Sequence, residues 1–212
     1  MANIRITKAV FVSPTGGGKS VVISRLLEKG GERCIFSVSC TTRTQGEEEV
    51  EGKDYFFISK KEFRRRIKEG YFFEHENING DYYGIPLYQL KEAEEQKKVL
   101  VFDVDIKGAL KLKKKFPGND FAMFFIDSGD DEKVYEKRIR SRNRKSDTEE
   151  KIKKRLDRIP MELKDGRLNA DVIVYNRGSL EEYQRLIDDM IIRKLFGLRD
   201  ALEEVKVKLH RE

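Results

Sequence analysis

"AVFVSPTGGGKS", residues 9–20, sets a short apolar run directly before a glycine-rich turn that ends in lysine and serine. A strand, such a turn and a helix, with the spacing Gly-x-x-x-x-Gly-Lys-Ser/Thr, form the phosphate loop of nucleotide-binding proteins. Gly18, Lys19 and Ser20 fit the pattern, while Ser13 stands where its first glycine belongs. The chemistry follows from the backbone. Successive N–H groups of the turn wrap a phosphate, and the following helix adds partial positive charge at its N-terminus. Ser13, Pro14, Thr15, Gly16, Gly17, Gly18, Lys19 and Ser20 are therefore the expected ATP-phosphate cradle. Lys19 would reach the β- and γ-phosphates, and the Ser20 hydroxyl would complete a Mg²⁺ shell. The first glycine of the motif often has a conformation costly for other residues, so Ser13 carries an expected penalty on the order of 1 kcal/mol.

Four further apolar runs lie downstream: "CIFSVS" (34–39), "VLVFDV" (99–104), "FAMFFID" (121–127) and "DVIVYN" (171–176). Nearly continuous hydrophobicity over so few residues suits strands buried on both faces, as in a parallel sheet with helices on each side. Helical patterns at 20–29, 87–96 and 106–116 alternate with them. The expected fold class is α/β, with a central parallel five-stranded sheet flanked by helices. Residues 41–86 break the alternation with "DYFFIS", "YFFEHENING" and "DYYGIP", which read as a small, mostly β lobe holding one helix, "KKEFRRRIKEG". Residues 128–160 are helical and dense in Arg and Lys. Beyond Asn176, Ile191, Leu195, Leu198, Leu202, Val205 and Leu209 follow a heptad-like spacing. Such a stripe suits a helix folded onto its own domain in a monomer, or a homodimer contact.

Composition narrows the class. Of 212 residues, 39% are charged and 38% hydrophobic. The first figure exceeds the roughly 25% of an average soluble protein, and the second still allows a substantial core. A net charge of +6 is compatible with RNA, an anionic membrane surface or polyanionic small substrates, and does not choose among them. Cys34 and Cys40 form no Cys-x-x-Cys pair, and His75 and His210 lie far apart. That argues against a structural zinc site or a disulfide framework and suits a reducing compartment. No apolar stretch approaches a membrane span, and the opening residues do not read as a signal peptide. A cytoplasmic protein with no membrane partner is expected.

A carboxylate belongs beside a phosphate loop. "VLVFDVD" ends an apolar strand with Asp103 and Asp105. An Asp at the carboxyl end of a buried strand can hold Mg²⁺, so Asp103 joins Ser20 as the expected metal pair. Asp105 also suits the N-cap of the helix that follows.

"FSVSCTTR" (36–43), "GKDYFFIS" (52–59), "FFEHENINGDYYGIP" (72–86), "DVDIKGA" (103–109) and "VIVYN" (172–176) occur in the order and approximate spacing of the guanylate kinases. With the phosphate loop, the chain resembles that P-loop nucleoside monophosphate kinase family from residue 8 to past 176. The resemblance implies Mg²⁺-dependent transfer of the γ-phosphoryl group of ATP to GMP. It implies a core of residues 1–38, 97–127 and 160–212, a GMP-binding lobe of 39–96 and a lid of 128–159. By the same resemblance Ser39 and Glu74 contact guanine, Arg43, Tyr55 and Tyr83 hold the GMP phosphate, and Asp105 belongs to the GMP set. Arg138, Arg142 and Arg155 match the lid arginines that offset charge on the transferring group, and Asn176 matches the adenine-side contact. These residue types suit the task. A carboxylate accepts two parallel hydrogen bonds from the guanine edge, arginine forks onto phosphate, and tyrosine adds directed donors without further charge. An RNA-binding reading of 137–158 is weaker, because Asp147, Glu149, Glu150 and Asp157 interrupt the basic run and no aromatics stand ready to stack on bases.

Three positions depart from the family pattern. Ser13 is the first. Gly46 replaces a second arginine, so the GMP phosphate loses a fork worth roughly 1.5–3 kcal/mol, beside the unfavourable charges of Glu47 and Glu48. Ile85 replaces a Ser or Thr that donates towards guanine. The alternative to a kinase is a guanylate-kinase-like module that binds without catalysis. Lys19, Ser20, Asp103 and the lid arginines favour the enzyme, since a module that only binds has no use for a phosphoryl-transfer set.

Overall fold

Every residue of strand β1 (Lys8–Val12) is buried, and alternate side chains leave it on opposite faces. Ala9 and Phe11 enter one hydrophobic cluster, Val10 and Val12 the other. This explains the unbroken apolar run at 9–12: a strand with helices over both faces has no solvent side. The computed structural model describes residues 6–47, 49–78, 80–141, 148–192 and 195.

From β1 the chain passes through the glycine turn into α1 (Lys19–Gly30), β2 (Cys34–Phe36), β3 (Cys40–Thr41), β4 (Phe56–Phe57), α2 (Lys60–Lys68), β5 (Phe72–Ile78), β6 (Asp81–Pro86) and α3 (Leu87–Glu95). It continues through β7 (Val99–Asp103), α4 (Ile106–Lys115), β8 (Phe121–Asp127), α5 (Glu132–Ser141), α6 (Glu149–Leu156), α7 (Ile159–Asn169), β9 (Val172–Tyr175) and α8 (Leu180–Leu186). Two sheets result. The larger has strand order β2-β7-β1-β8-β9 with every pairing parallel. The smaller, ordered β4-β3-β6-β5, is built around the antiparallel β5–β6 hairpin. The five apolar runs of the sequence are the five strands of the parallel sheet.

The two clusters sit on opposite sides of that sheet. One joins Val10, Val12, Phe102, Met123 and Phe125 to α4, α5 and α7. The other joins Phe11, Val101 and Phe124 to α1 and α8, with the Phe11 and Phe124 rings stacked at 4.9 Å. Helix α7 has no clear signal in the apolar periodicity, although Pro160 near its start suits the first helical turn. It packs closely because residue 166 is glycine: a Cβ there would overlap the Phe125 ring.

The expected C-terminal stripe is only partly within the described residues. Ile187–Ile192 form a π-helical turn, which shifts the α-helical period on which the heptad spacing relied. Leu195 is buried in the second cluster, as in a segment folded onto its own domain. Leu198, Leu202, Val205 and Leu209 lie outside the described residues.

Candidate nucleotide site

β1 lies between β7 and β8, so the loop after Val12 opens at the carboxyl edge in the middle of the parallel sheet, where α/β proteins bind ligands. Two glycines there adopt left-handed backbone, Gly16 at φ 89° and Gly18 at φ 97°, a conformation that side chains disfavour. A Cβ on Gly18 would also overlap Asn176 Nδ2. Ser13 has no positive φ; among the described non-glycine residues only Lys97 does. The backbone penalty expected at Ser13 is therefore absent. Its hydroxyl donates to Pro14 O at 2.9 Å, and its Cβ faces Gly17, where a second Cβ would lie only 2.8 Å away. The loop accommodates Ser13 because residue 17 has no side chain.

Buried and half-buried groups from distant parts of the chain hold the loop from behind. Gly17 O accepts from Asn176 Nδ2 (3.0 Å) and Ser128 Oγ (3.1 Å). Arg138 Nη1 donates to Ser128 Oγ (2.6 Å) and Gly16 O (3.3 Å), and Nη2 donates to Asn176 O (3.4 Å). The Tyr183 hydroxyl donates to Gly18 O at 3.3 Å. Arg138, expected to act on the ATP phosphates, and Asn176, expected as the adenine-side contact, both lie at the loop and donate to its carbonyls, and Asn176 is buried. Ser128 and Tyr183 were not legible as site residues. The only signal for Ser128 was its place just beyond the buried strand "FAMFFID".

In front of the loop, Lys19 pairs with Asp103 and donates to Val104 O at 3.0 Å. Ser20 is exposed at the start of α1. The Ser20 hydroxyl and the half-buried Asp103 carboxylate are hard oxygen donors of the kind Mg²⁺ takes alongside water and phosphate. Asp105 caps α4, its Oδ1 accepting from Gly108 N at 2.8 Å. A further carboxyl carries no signal in the sequence. Glu162, on α7, is buried, which pushes its carboxyl above the usual range. It meets Arg158 at 2.9 Å and lies within electrostatic reach of Asp105 and Lys19.

The residues expected on the acceptor side lie on and beside the smaller sheet. The Arg43 guanidinium lies 5.0 Å from the centre of the Tyr55 ring, and Tyr55 packs edge-on against Tyr83 at 6.1 Å. Burial, with the Asp103 carboxylate adding to it, pushes the Tyr55 phenol up to about 12. Tyr55 is therefore a neutral hydrogen-bond donor at physiological pH. Arg43 is held by Glu49 in a two-pronged ion pair, which raises its already high affinity for the proton. Ser39 is half-buried and its carbonyl accepts from Phe56 N at 2.9 Å.

Strict alternation along "FFEHE" would place Phe73 and Glu74 on opposite faces. The register instead shifts between Phe72 and Glu74. As a result Phe73 stacks on Phe116 at 4.9 Å, while Glu74 pairs with Lys115 and Lys111 of α4 at 2.5 and 3.7 Å. Ile85 lies opposite Glu74 and is buried in the first cluster. The position at which the resemblance implies a hydroxyl is here part of the core.

Of the three expected lid arginines, Arg138 contacts the loop as described, and Arg155 is half-buried in the last turn of α6. Arg142 lies outside the described residues. Arg140, not among the expected residues, pairs with Glu136 on its own helix (2.9 Å) and ties α5 to α6 through Glu149 (2.6 Å).

The family model described as guanylate kinase matches residues 5–193. This chain belongs to the guanylate kinase family. It is 43% identical over 154 residues to a guanylate kinase of Chlorobium luteolum, covering 73% of this chain and 76% of that protein. A guanylate kinase of Porphyromonas gingivalis is 37% identical over 160 residues, 74% and 83% of the two chains. Among solved structures, guanylate kinase from Anaplasma phagocytophilum superposes with a TM-score of 0.65 at 26% identity over 96% of both chains. Membership of the guanylate kinase family accounts for a phosphate loop and an aromatic, arginine-bearing small sheet in one chain.

Proposed function

We propose that this protein transfers the γ-phosphoryl group of ATP to GMP, giving ADP and GDP. What supports the reading is membership of the guanylate kinase family, together with a glycine loop whose Lys19 pairs with Asp103 and a lobe that sets Arg43 against Tyr55 and Tyr55 against Tyr83. A GMP phosphate held at Arg43, Tyr55 and Tyr83 would then face a γ-phosphate held at Lys19. An oxygen of the GMP phosphate attacks the γ-phosphorus, the bond to the β-bridging oxygen breaks, and ADP leaves. No proton need move, because the attacking group is already an anion. Catalysis then consists of alignment and charge stabilisation.

Residues 13–20 hold the triphosphate, with Lys19 on the oxygens whose charge grows in the transition state. Mg²⁺, held through Ser20 and Asp103, would neutralise β- and γ-oxygens when bound. Arg138 and Asn176 keep the loop carbonyls in place, so that its N–H groups stay directed at phosphate. Glu74 reads the guanine edge, and Lys115 and Lys111 must release it when the base arrives. Ser39 and Asp105 complete that side. Residues 39–96 act as the acceptor lobe and 128–159 as the lid, with Arg142 and Arg155 closing over the phosphates and keeping water from the γ-phosphorus. The protein works in the cytoplasm, a placement supported by two free cysteines and by the lack, among the described residues, of any helix long and apolar enough to cross a membrane.

The test is ADP release with ATP and Mg²⁺ against GMP, dGMP, AMP, UMP and CMP at matched concentrations. Strong dependence on a guanine nucleotide is expected, and Lys19→Ala should abolish it while the protein stays folded. Equal rates with all acceptors, or turnover unaffected by Lys19→Ala, would refute the assignment.

A further inference from the structure

Glu49 sits on the arginine that the proposed function assigns to the acceptor phosphate. Its carboxylate accepts from Arg43 Nη1 (2.6 Å) and Nη2 (2.5 Å), and Oε2 also accepts the Gly46 N–H (2.7 Å). Nη1 gives its other proton to Thr44 O at 3.0 Å. A guanidinium carries five N–H donors in a rigid planar fork. Three are thus committed, and the edge made of Nε–H and the remaining Nη2–H has no acceptor among the described residues. The rings of Tyr55 and Phe57 lie 5.0 and 5.5 Å from the guanidinium carbon. Arg43 is therefore held along one edge and packed against two rings, with one two-donor edge left over.

Gly46 belongs to the same arrangement. A Cβ at that position would lie 2.9 Å from Glu49 Oε2, so the carboxylate occupies the space next to the backbone at the position where the resemblance implies a second arginine. Adding an arginine at 46 would disturb this pair before it supplied a second fork.

We propose that Glu49 is a positioning residue for the acceptor phosphate: it grips Arg43 by the Nη1/Nη2 edge and leaves the Nε/Nη2 edge as the single fork for the anion. The chain thereby recovers by preorganisation part of what it lacks in charge. A long flexible arginine that is already immobilised loses less entropy when phosphate binds. The inference rests on the reading of Arg43 as the phosphate-binding arginine.

The experiment measures dissociation constants of GMP and of guanosine by calorimetry for the wild type, Glu49→Gln, Gly46→Ala and Arg43→Ala. The ratio of the two constants isolates the phosphate contribution, and guanosine binding reports an intact lobe. Glu49→Gln should shrink the GMP preference roughly threefold to tenfold, the cost of immobilising one long side chain on binding. Guanosine affinity and the KM for ATP should not change. Gly46→Ala, which displaces the carboxylate while keeping both charges, should shift the ratio in the same direction. An unchanged or increased ratio in these variants would overturn the proposal, the increase marking Glu49 as an anion that competes with phosphate. Equal weakening of GMP and guanosine would overturn it too, as a structural effect on the lobe. Arg43→Ala separates the two layers. If the preference survives that substitution, the reading of Arg43 fails; if it collapses there but persists in Glu49→Gln and Gly46→Ala, only the positioning role fails.

Discussion

A methyl group at position 17 would collide with Ser13. The Cβ of Gly17→Ala would stand 2.8 Å from Ser13 Cβ, 3.0 Å from Pro14 O and 3.1 Å from Ser13 Oγ, against roughly 3.5–4.0 Å for an unstrained carbon contact. Gly17 has no positive φ, so the cost is one of crowding, typically about 1–3 kcal/mol for an overpacked site. Any shift that relieves it also strains the bonds from Asn176 and Ser128 to Gly17 O, each worth roughly 0.5–1.5 kcal/mol net. Ser13→Gly removes two of the three close approaches. The double variant should therefore recover most of the loss, with a coupling energy of about 1–2 kcal/mol between the sites. The assay is thermal unfolding of the four proteins without nucleotide, together with ATP affinity. Gly17→Ala should lower both, and Ser13→Gly alone should change stability by less than about 1 kcal/mol. Effects that add to within about 0.5 kcal/mol would refute the reasoning, because the two residues would then not share a space.

Replacing Glu74 with Gln should raise the KM for GMP by about tenfold or more through loss of a charged acceptor and leave the KM for ATP unchanged; equal damage to both substrates would remove Glu74 from guanine recognition. Burial pushes the Cys34 and Cys40 thiols up to about 11, so at pH 8 almost no thiolate is present to react. Both should resist a disulfide reagent in the native protein and react fully in denaturant. Rapid labelling of the native protein would show that the two sites are open.

How much was legible depended on whether the signal was local. The strands were readable because burial on both faces demands nearly unbroken hydrophobicity at 9–12, 99–103 and 121–127, and the half-buried edge strands at 34–36 and 172–175 are apolar as well. The order and spacing of the motifs singled out Lys19, Asp103, Arg43 and Tyr55, and the fold places Lys19 beside Asp103 and Arg43 beside Tyr55. Helix α7 was not, since its buried Ile159, Leu163 and Gly166 alternate with charged residues and look like a solvated stretch. Nor were Ser128, Tyr183 and Glu162, single polar residues whose meaning lies in their neighbours. The bulge at Phe72–Glu74 was not legible either, because a period-2 pattern assumes an uninterrupted register.

By itself the sequence determined the phosphate loop, the α/β alternation and the aromatic lobe between the second and third strands of the parallel sheet. Each is written in adjacent residues, through the backbone freedom of glycine or the periodicity of burial. The tertiary structure alone decided how the site is held. Asn176 reaches Gly17 across 159 residues and Arg138 reaches Gly16 across 122. Lys19 finds Asp103 only because β1, which leads into its loop, pairs with β7, which ends at Asp103. Even the short-range grip of Glu49 on Arg43 depends on the fold of its loop. Spacing states which donors and acceptors a chain owns; only packing assigns each donor its acceptor.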